Sequence, residues 1–271
     1  MSSADTAGFF TLGISAERYH LPHPRLGLPV ILLIRRVLLR AFELLREQGF
    51  NLASATEDKV TAAIRSTIEN SLRQSGEIPG FNKRTFETVI RQGQWANYDG
   101  KHPNKTPDIF FKLRNDESEP RHVISEFDGL FIEAKPVDST HPVGSKYCDG
   151  GLIRFVRGDY AWAMQEAIML AYVRDGRSIA GHLIPAMEEN QRKASLRTVF
   201  SSKICGVRGA SACLEAEAVH FSEHERDFQW PDGKGMANAI TVYHFWHNCS
   251  VSLRQGRVSA AAGGWVEFRR G

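Results

Sequence analysis

The chain lacks most of the features that assign a protein class by themselves. Four cysteines in 271 residues, at positions 148, 205, 213 and 249, are too few and too scattered for a disulfide framework and fit a reducing cytoplasm. The apolar stretch from Val30 to Leu39 is broken by Arg35 and Arg36 and followed by Arg40, well short of a membrane span. The start, Met1-Ser-Ser-Ala-Asp-Thr-Ala, has neither the basic residues nor the apolar run of a secretory signal. No charge of one sign dominates, and a net charge of +3 permits nucleic-acid binding without arguing for it. There is no internal repeat and no low-complexity linker. The Gly-Gly pairs at 150–151 and 263–264 lack the strand–loop–helix framing of a phosphate-binding loop, and no Gly-x-Ser-x-Gly elbow occurs. With 42% hydrophobic and 24% charged residues, the expectation is a soluble, cytoplasmic, globular chain without membrane partners.

What is present is two acids and a lysine in apolar surroundings. Asp108 lies in Thr106-Pro-Asp-Ile-Phe-Phe-Lys-Leu113, and Glu133 and Lys135 lie in Gly129-Leu-Phe-Ile-Glu-Ala-Lys-Pro136. A Glu-x-Lys tripeptide alone says little, because chance supplies roughly one in a chain of this length. A second copy, Glu57-Asp-Lys59, sits in a helical pattern, and a second Pro-Asp, Pro231-Asp232, reads as a turn. Only Glu133 follows a β-rich run, where period-2 geometry places it on one face with Lys135. Only Asp108 opens another such run. Two carboxylates on neighbouring strands suit Mg²⁺, which takes oxygen ligands and keeps several waters. A metal with a lysine beside it activates water and neutralises charge on a phosphate under attack. The plain alternative is a surface strand bearing an ordinary Glu and Lys.

Around this motif the pattern predicts a helix from Pro29 to a stop at Gly49, with Ile31, Ile34, Leu38, Phe42 and Leu45 inward. A second helix is predicted from Ser54 to Leu72, with Ser54 and Glu57 at capping-box spacing and Val60, Ile64, Ile68 and Leu72 buried. Glu57 lies on that stripe, as an added metal or water ligand or as a simple capping carboxylate. Glu69, between Arg65 and Arg73, reads as a solvated ion-pair residue. Residues 81–105 interleave Lys83, Arg84, Arg91, Lys101, His102 and Lys105 with Phe81, Phe86, Trp95 and Tyr98, either a DNA approach path or an ordinary loop. Residues 1–28 are expected to be irregular with one short strand at Gly8–Ile14.

Further along, Asn115 to Pro120 reads as a polar connection and Val123 to Phe127 as strand. A hairpin centred near residue 118 would set Asp108 opposite about residue 128, making Asp128 a rival for the metal. Alternatively, Asp128-Gly129 is itself a two-residue turn. A loop containing Lys146 and Tyr147 precedes a predicted helix from Asp159 to Arg174. Gln165 on that helix needs partners, at the metal site or on nearby backbone. Arg177 to Ile184 reads as a strand, as do Ala218–Ser222 and Ala239–Trp246. His220, His224, His244 and His247 cluster with Cys205, Cys213 and Cys249, but at spacings foreign to compact zinc sites. Strand histidines in solvent, or His224 and Arg226 on phosphate, are the favoured readings.

The order helix (Glu57), strand (Asp108), strand (Glu133-Ala-Lys135), helix (Gln165), strand resembles the PD-(D/E)xK nucleases, the restriction-endonuclease-like superfamily. It does so over residues 54–185, with Pro107-Asp108 and Glu133-Ala-Lys135 matching the motif as written. Tyr160 and Gln165 are similar to the residues of the helix that follows the lysine in the RecB- and Cas4-like branches, though in a different order. The resemblance implies an α/β fold with a central mixed sheet flanked by helices. It implies Mg²⁺ (or Mn²⁺) on Asp108 and Glu133, with Lys135 orienting the water, and Glu57 and Gln165 as auxiliary site residues. Residues 1–53 would form a helical extension, 54–185 the nuclease core, and 186–271 a β-rich extension packed on it. The expected function is metal-dependent hydrolysis of DNA in restriction, phage defence or repair, by a homodimer or with a partner subunit. The alternatives are an inactive nucleic-acid-binding or assembly subunit and an RNA-cleaving toxin.

Overall fold

The computed structural model describes residues 21–114, 125–205 and 218–250, apart from 232 and 234. The strand expected at Gly8–Ile14 therefore lies outside the described residues. Helix α1 (Leu28–Glu47) begins with Pro29 in its first turn and buries Ile31, Ile34, Leu38, Phe42 and Leu45, as its apolar period requires. Gly49 follows with a φ of 75°, in the left-handed region that favours glycine after a helix. Helix α2 (Glu57–Thr67) starts later than expected. Its cap is Thr56, whose hydroxyl accepts from the Lys59 amide at 3.4 Å, whereas the Ser54 amide turns back to Asn51 Oδ1. The helix continues through a π-helical turn, Ile68–Leu72, so the stripe Val60, Ile64, Ile68 and Leu72 is buried as predicted.

Among the described residues, seven strands form one mixed sheet flanked by helices. They are β1 (Phe86–Arg91), β2 (Ile109–Leu113), β3 (Gly129–Val137), β4 (Glu166–Val173), β5 (Thr198–Cys205), β6 (Ala218–His224) and β7 (Ile240–Asn248), in the spatial order β1-β2-β3-β4-β7-β6-β5. The β3–β4 and β4–β7 pairs are parallel and the others antiparallel. Phe42 of α1 stacks on His247, while Tyr147, from the 143–156 helical segment, bonds His244. Residues 244 and 247 of one strand face opposite ways, so the two helical layers cover opposite faces of the sheet. The strands beyond residue 186 are not a separate layer, for β7 lies between β4 and β6 at the centre of the same sheet.

Three sequence expectations are corrected here. Residues 159–174 are not a helix: Gly158 and Ala161 have positive φ values of 69° and 55°, and β4 then runs fully buried from Glu166 to Val173. A strand with parallel neighbours on both sides and helices on both faces is apolar throughout, so its sequence carries no period to distinguish it from a buried helix. Residues 177–184 are not a strand either. Ser178 caps a helical segment, Ile179–Leu183, through the Gly181 amide at 3.1 Å, and Pro185 sits in the first turn of the next, Ile184–Glu188. Finally, residues 125–127 form a turn rather than strand, and β3 begins at Gly129. Gly129 has no space for a side chain, since a Cβ would lie 2.5 Å from the Phe111 carbonyl oxygen and the Phe110 ring.

Edge strand β1 is held by side chains of the α2 region. Arg65 and Arg73 donate to the Val89 and Phe86 carbonyls at 3.2 and 3.0 Å, and Glu69 accepts from the Val89 amide at 2.7 Å. Glu69 does pair with Arg73, at 2.8 Å, but the pair is buried against the strand instead of solvated. The aromatics of 81–105 pack inward: Phe81, Phe86 and Trp95 are buried in ring contacts, and Tyr98 stacks on Phe228. Phe81, Phe86 and Trp95 therefore offer no face on which bases could stack. None of the helices among the described residues is long and apolar enough to cross a membrane.

Candidate active site

The β2–β3 register decides what meets Asp108. Ile109 pairs with Ile132 and Phe111 with Leu130, so the residue just before β2 lies beside Glu133. Asp108 takes over where the ladder ends: its Oδ2 accepts from the Ala134 amide at 2.7 Å, in place of a strand carbonyl. The hairpin is thus centred further along the chain than expected, and Asp128 is displaced. Lys112 pairs with Gly129, and the Leu113 amide donates to the Asp128 carbonyl. Asp128 is five residues, about 17 Å, from Glu133, at the opposite end of the pair. It cannot share a metal with Glu133.

Period-2 geometry puts Glu133 and Lys135 on the face covered by the 143–156 segment. Gly151 of that segment lies so close that an added Cβ would meet Met169 Cε at 2.7 Å and Glu133 Cγ at 3.4 Å. The Lys135 ammonium sits among three carboxylates, 2.7 Å from Glu57 Oε1, 2.9 Å from Glu133 Oε1 and 3.7 Å from Asp108 Oδ2. Glu57 reaches it from the first turn of α2, beyond the C-terminal half of β3. Two further residues complete the cluster. Arg154 places Nη1 2.9 Å from Glu133 Oε1, and the Tyr160 hydroxyl donates to Glu133 Oε2.

Burial is uneven across this cluster. The Glu133 side chain is fully buried and those of Asp108 and Lys135 nearly so, whereas Glu57 and Arg154 are 36% and 40% exposed. The mouth of the site is therefore bounded by Glu57 and Arg154. Burial, with repulsion from Glu133 and Glu57, pushes the Asp108 carboxyl up to about 7 despite the attraction of Lys135. Burial works against the Lys135 charge, but Glu133, Asp108 and Glu57 outweigh it and raise its pKa. Burial also works against the Arg154 charge, but Glu133, Tyr160 and Asp108 together outweigh it and hold the guanidinium more firmly charged, and the Tyr160 phenol is raised well above its ordinary value by burial and then by Glu133.

Two observations bear on whether a divalent cation fits. Glu133 Oε1 is buried near two cationic groups, yet it accepts no properly angled hydrogen bond, so a lone pair remains unused. The Asp108 carboxyl, raised to about 7, marks surplus negative charge that a cation would offset. With hard oxygen donors only, the set fits Mg²⁺ or Mn²⁺ once Lys135 gives way. As the side chains stand, no group of three or more His, Cys, Asp or Glu among the described residues is arranged around a common metal position.

Other residues singled out in the sequence lie elsewhere. Gln165 does not join the cluster: it precedes β4, level with Gly129 by the β3–β4 register, and donates to the His23 carbonyl at 2.7 Å. It is four residues, about 13 Å, from the level of Glu133. The histidines of β6 and β7 are not solvent-facing. His224 bonds the Leu196 carbonyl and Ser222, Ser222 bonds His244, and His244 bonds Tyr147, in one buried chain. His224 and Arg226 cannot touch phosphate, since both are buried, and Arg226 donates to the carbonyls of Ala161, Trp162 and Met164. Cys213 and the Cys205 side chain lie outside the described residues.

Sequence reasoning missed Arg154 as a site residue. It sits in a segment read as loop, and only the return of that segment over β3 brings it to Glu133. The available signal was Gly150-Gly151, which allows the helical backbone to approach the strand. Compared with family models, with curated proteins and with solved structures, the chain matches none.

Proposed function

We propose that this chain is a metal-dependent nuclease that hydrolyses DNA phosphodiester bonds, with the core of a restriction-endonuclease-like enzyme. The observation that carries the reading is the meeting of Asp108, Glu133 and Lys135, with Glu57, at one partly open site. Asp108 and Glu133 would hold Mg²⁺, or Mn²⁺ in its place, and a metal there would lower the pKa of an attacking water and offset charge on the phosphate. Lys135, its pKa raised, stays protonated at neutral pH and acts as a fixed positive charge, not as a general base. Glu57 Oε1, hydrogen-bonded by Lys135 at the mouth, is placed to take the proton of a water held beside the ammonium. Tyr160 fixes the Glu133 carboxylate by donating to its second oxygen.

The test is incubation of the purified chain with supercoiled plasmid in Mg²⁺, Mn²⁺ or EDTA, beside a Glu133→Ala variant. Metal-dependent nicking or linearisation that disappears in the variant is the expected result. Equal cleavage by the variant, or none by the folded wild type in either metal, overturns it.

A second reading has its own observation. Lys135 already pairs with the three carboxylates around it, which is how a purely structural ion-pair cluster would look. A nucleic-acid-binding or assembly subunit would then bind DNA indifferently to metal and to the alanine changes.

A further inference from the structure

We infer that Arg154 is a phosphate-binding residue of this site, gripping a non-bridging oxygen of the phosphodiester as it is cleaved; the inference rests on the nuclease reading. Its position supports this in three ways. Arg154 is a cationic residue at the mouth of the cluster, with a side chain 40% exposed, whereas the Lys135 side chain is only 11% exposed and enclosed by carboxylates. An approaching phosphate meets the guanidinium first.

Only part of the guanidinium is engaged. Nη1 lies 2.9 Å from Glu133 Oε1, but no well-angled hydrogen bond joins them, so charge and not hydrogen-bond geometry holds the contact. Five N–H donors in a planar fork are more than Glu133 and Tyr160 can occupy. With the side chain 40% exposed, the remaining donors are open to a phosphate oxygen, in a planar fork geometry that a lysine cannot reproduce.

The segment that carries Arg154 is also fixed. Gly151 packs its backbone onto Met169 and Glu133, and the Asp159 amide donates to the Arg154 carbonyl at 2.9 Å. The base of the side chain is thus anchored to the strands that present the acids, while its tip is free to exchange Glu133 for substrate.

Two measurements on Arg154→Ala, Arg154→Lys and Arg154→Gln test this. The first needs neither metal nor turnover: fluorescence anisotropy with a short DNA duplex in EDTA across a salt series. Loss of one phosphate contact is expected to weaken binding and to reduce the slope of log K against log salt by about 0.9 in Ala and Gln, with Lys keeping most of the slope. The second is cleavage in Mn²⁺ of DNA carrying a stereodefined phosphorothioate at the scissile position. In the wild type, sulfur at the gripped oxygen slows cleavage even in Mn²⁺. In Arg154→Ala and Arg154→Lys the overall rate falls by roughly 10²-fold, with KM changed far less, and that sulfur effect disappears. A folded Ala or Gln variant with wild-type slope and wild-type sulfur effect overturns the role of Arg154 while leaving the nuclease reading intact. A wild type that neither binds nor cleaves DNA overturns both.

Discussion

Burial and the neighbouring Glu133 and Glu57 raise the Asp108 pKa to about 7, so its carboxyl takes up a proton in the neutral range. In the unfolded chain the same group titrates near 3.9. The folded state therefore binds the extra proton: Asp108 contributes stability that is complete below about pH 4 and is lost as pH rises to about 7. Asp108→Asn removes this dependence while keeping an oxygen that can accept from the Ala134 amide. The expected outcome at pH 8 in EDTA is a Tm raised by about 2–4 °C, together with loss of DNA cleavage. Thermal scans showing a lower Tm in the variant at pH 8 would mean that the ionised carboxylate stabilises the fold. A site acid that opposes folding has the character expected where a ligand's charge has been left for the ligand to balance.

Elements, in this protein, set the distances that single residues exploit. The 143–156 segment lies against β3 because residue 151 has no side chain, and Arg154 follows three residues later on the same helical surface. Gly151→Ala would set a methyl carbon 2.7 Å from Met169 Cε, the mobile end of a flexible side chain. The stability loss is therefore expected to be modest, about 1–2 kcal/mol by denaturant titration. The effect on cleavage is expected to be larger, tenfold or more, since Glu133 Cγ is the next contact and small displacements of reacting groups are costly. A Gly151→Ala/Met169→Ala double variant should recover much of the activity. Undiminished cleavage by the single variant would show that this segment does not position the site. On the other side of the site, Arg65, Glu69 and Arg73 saturate backbone groups of β1 and close that edge of the sheet to further pairing.

Taken over the whole molecule, pH acts through buried histidines as well as through Asp108. Burial lowers His224 to about 4 and His247 to about 3, and carries His244 well below its ordinary value. Each must be neutral in the folded state, so each contributes stability that is present above about pH 6.5 and is lost as pH falls toward the lowered value. Between pH 6.5 and 4 three histidines oppose the single gain from Asp108, and the balance is acid destabilisation. Circular-dichroism melts from pH 8 to 4.5 should show a falling Tm, and a Tm that rose throughout would contradict it. His247→Phe isolates one contribution: it preserves the stack on Phe42, now at 4.1 Å, and removes a buried nitrogen without a partner. It should flatten the acid limb.

How much of this was legible in the chain depended on whether the signal was local. Pro29, the five-residue apolar stripe from Ile31 to Leu45 and Gly49 determined α1, because helix starts, faces and stops are written within a turn or two. The alternation in Glu133-Ala-Lys135 determined that the two side chains share a face. β4 was not legible, since a strand buried on all sides shows no alternation, and Glu166–Val173 reads equally as a buried helix. Gln165 was consequently given a helical face that does not exist. Tertiary structure alone decided the rest. The β2–β3 register chose Asp108 over Asp128, because a hairpin's pairing depends on the turn that closes it and not on either strand. The parallel pairing of β3 with β4 carried the intervening segment back over the sheet and delivered Arg154 and Tyr160 to Glu133. The sequence by itself determined the chemistry on β3; the long-range pairing of strands, which no local pattern encodes, decided which residues surround it.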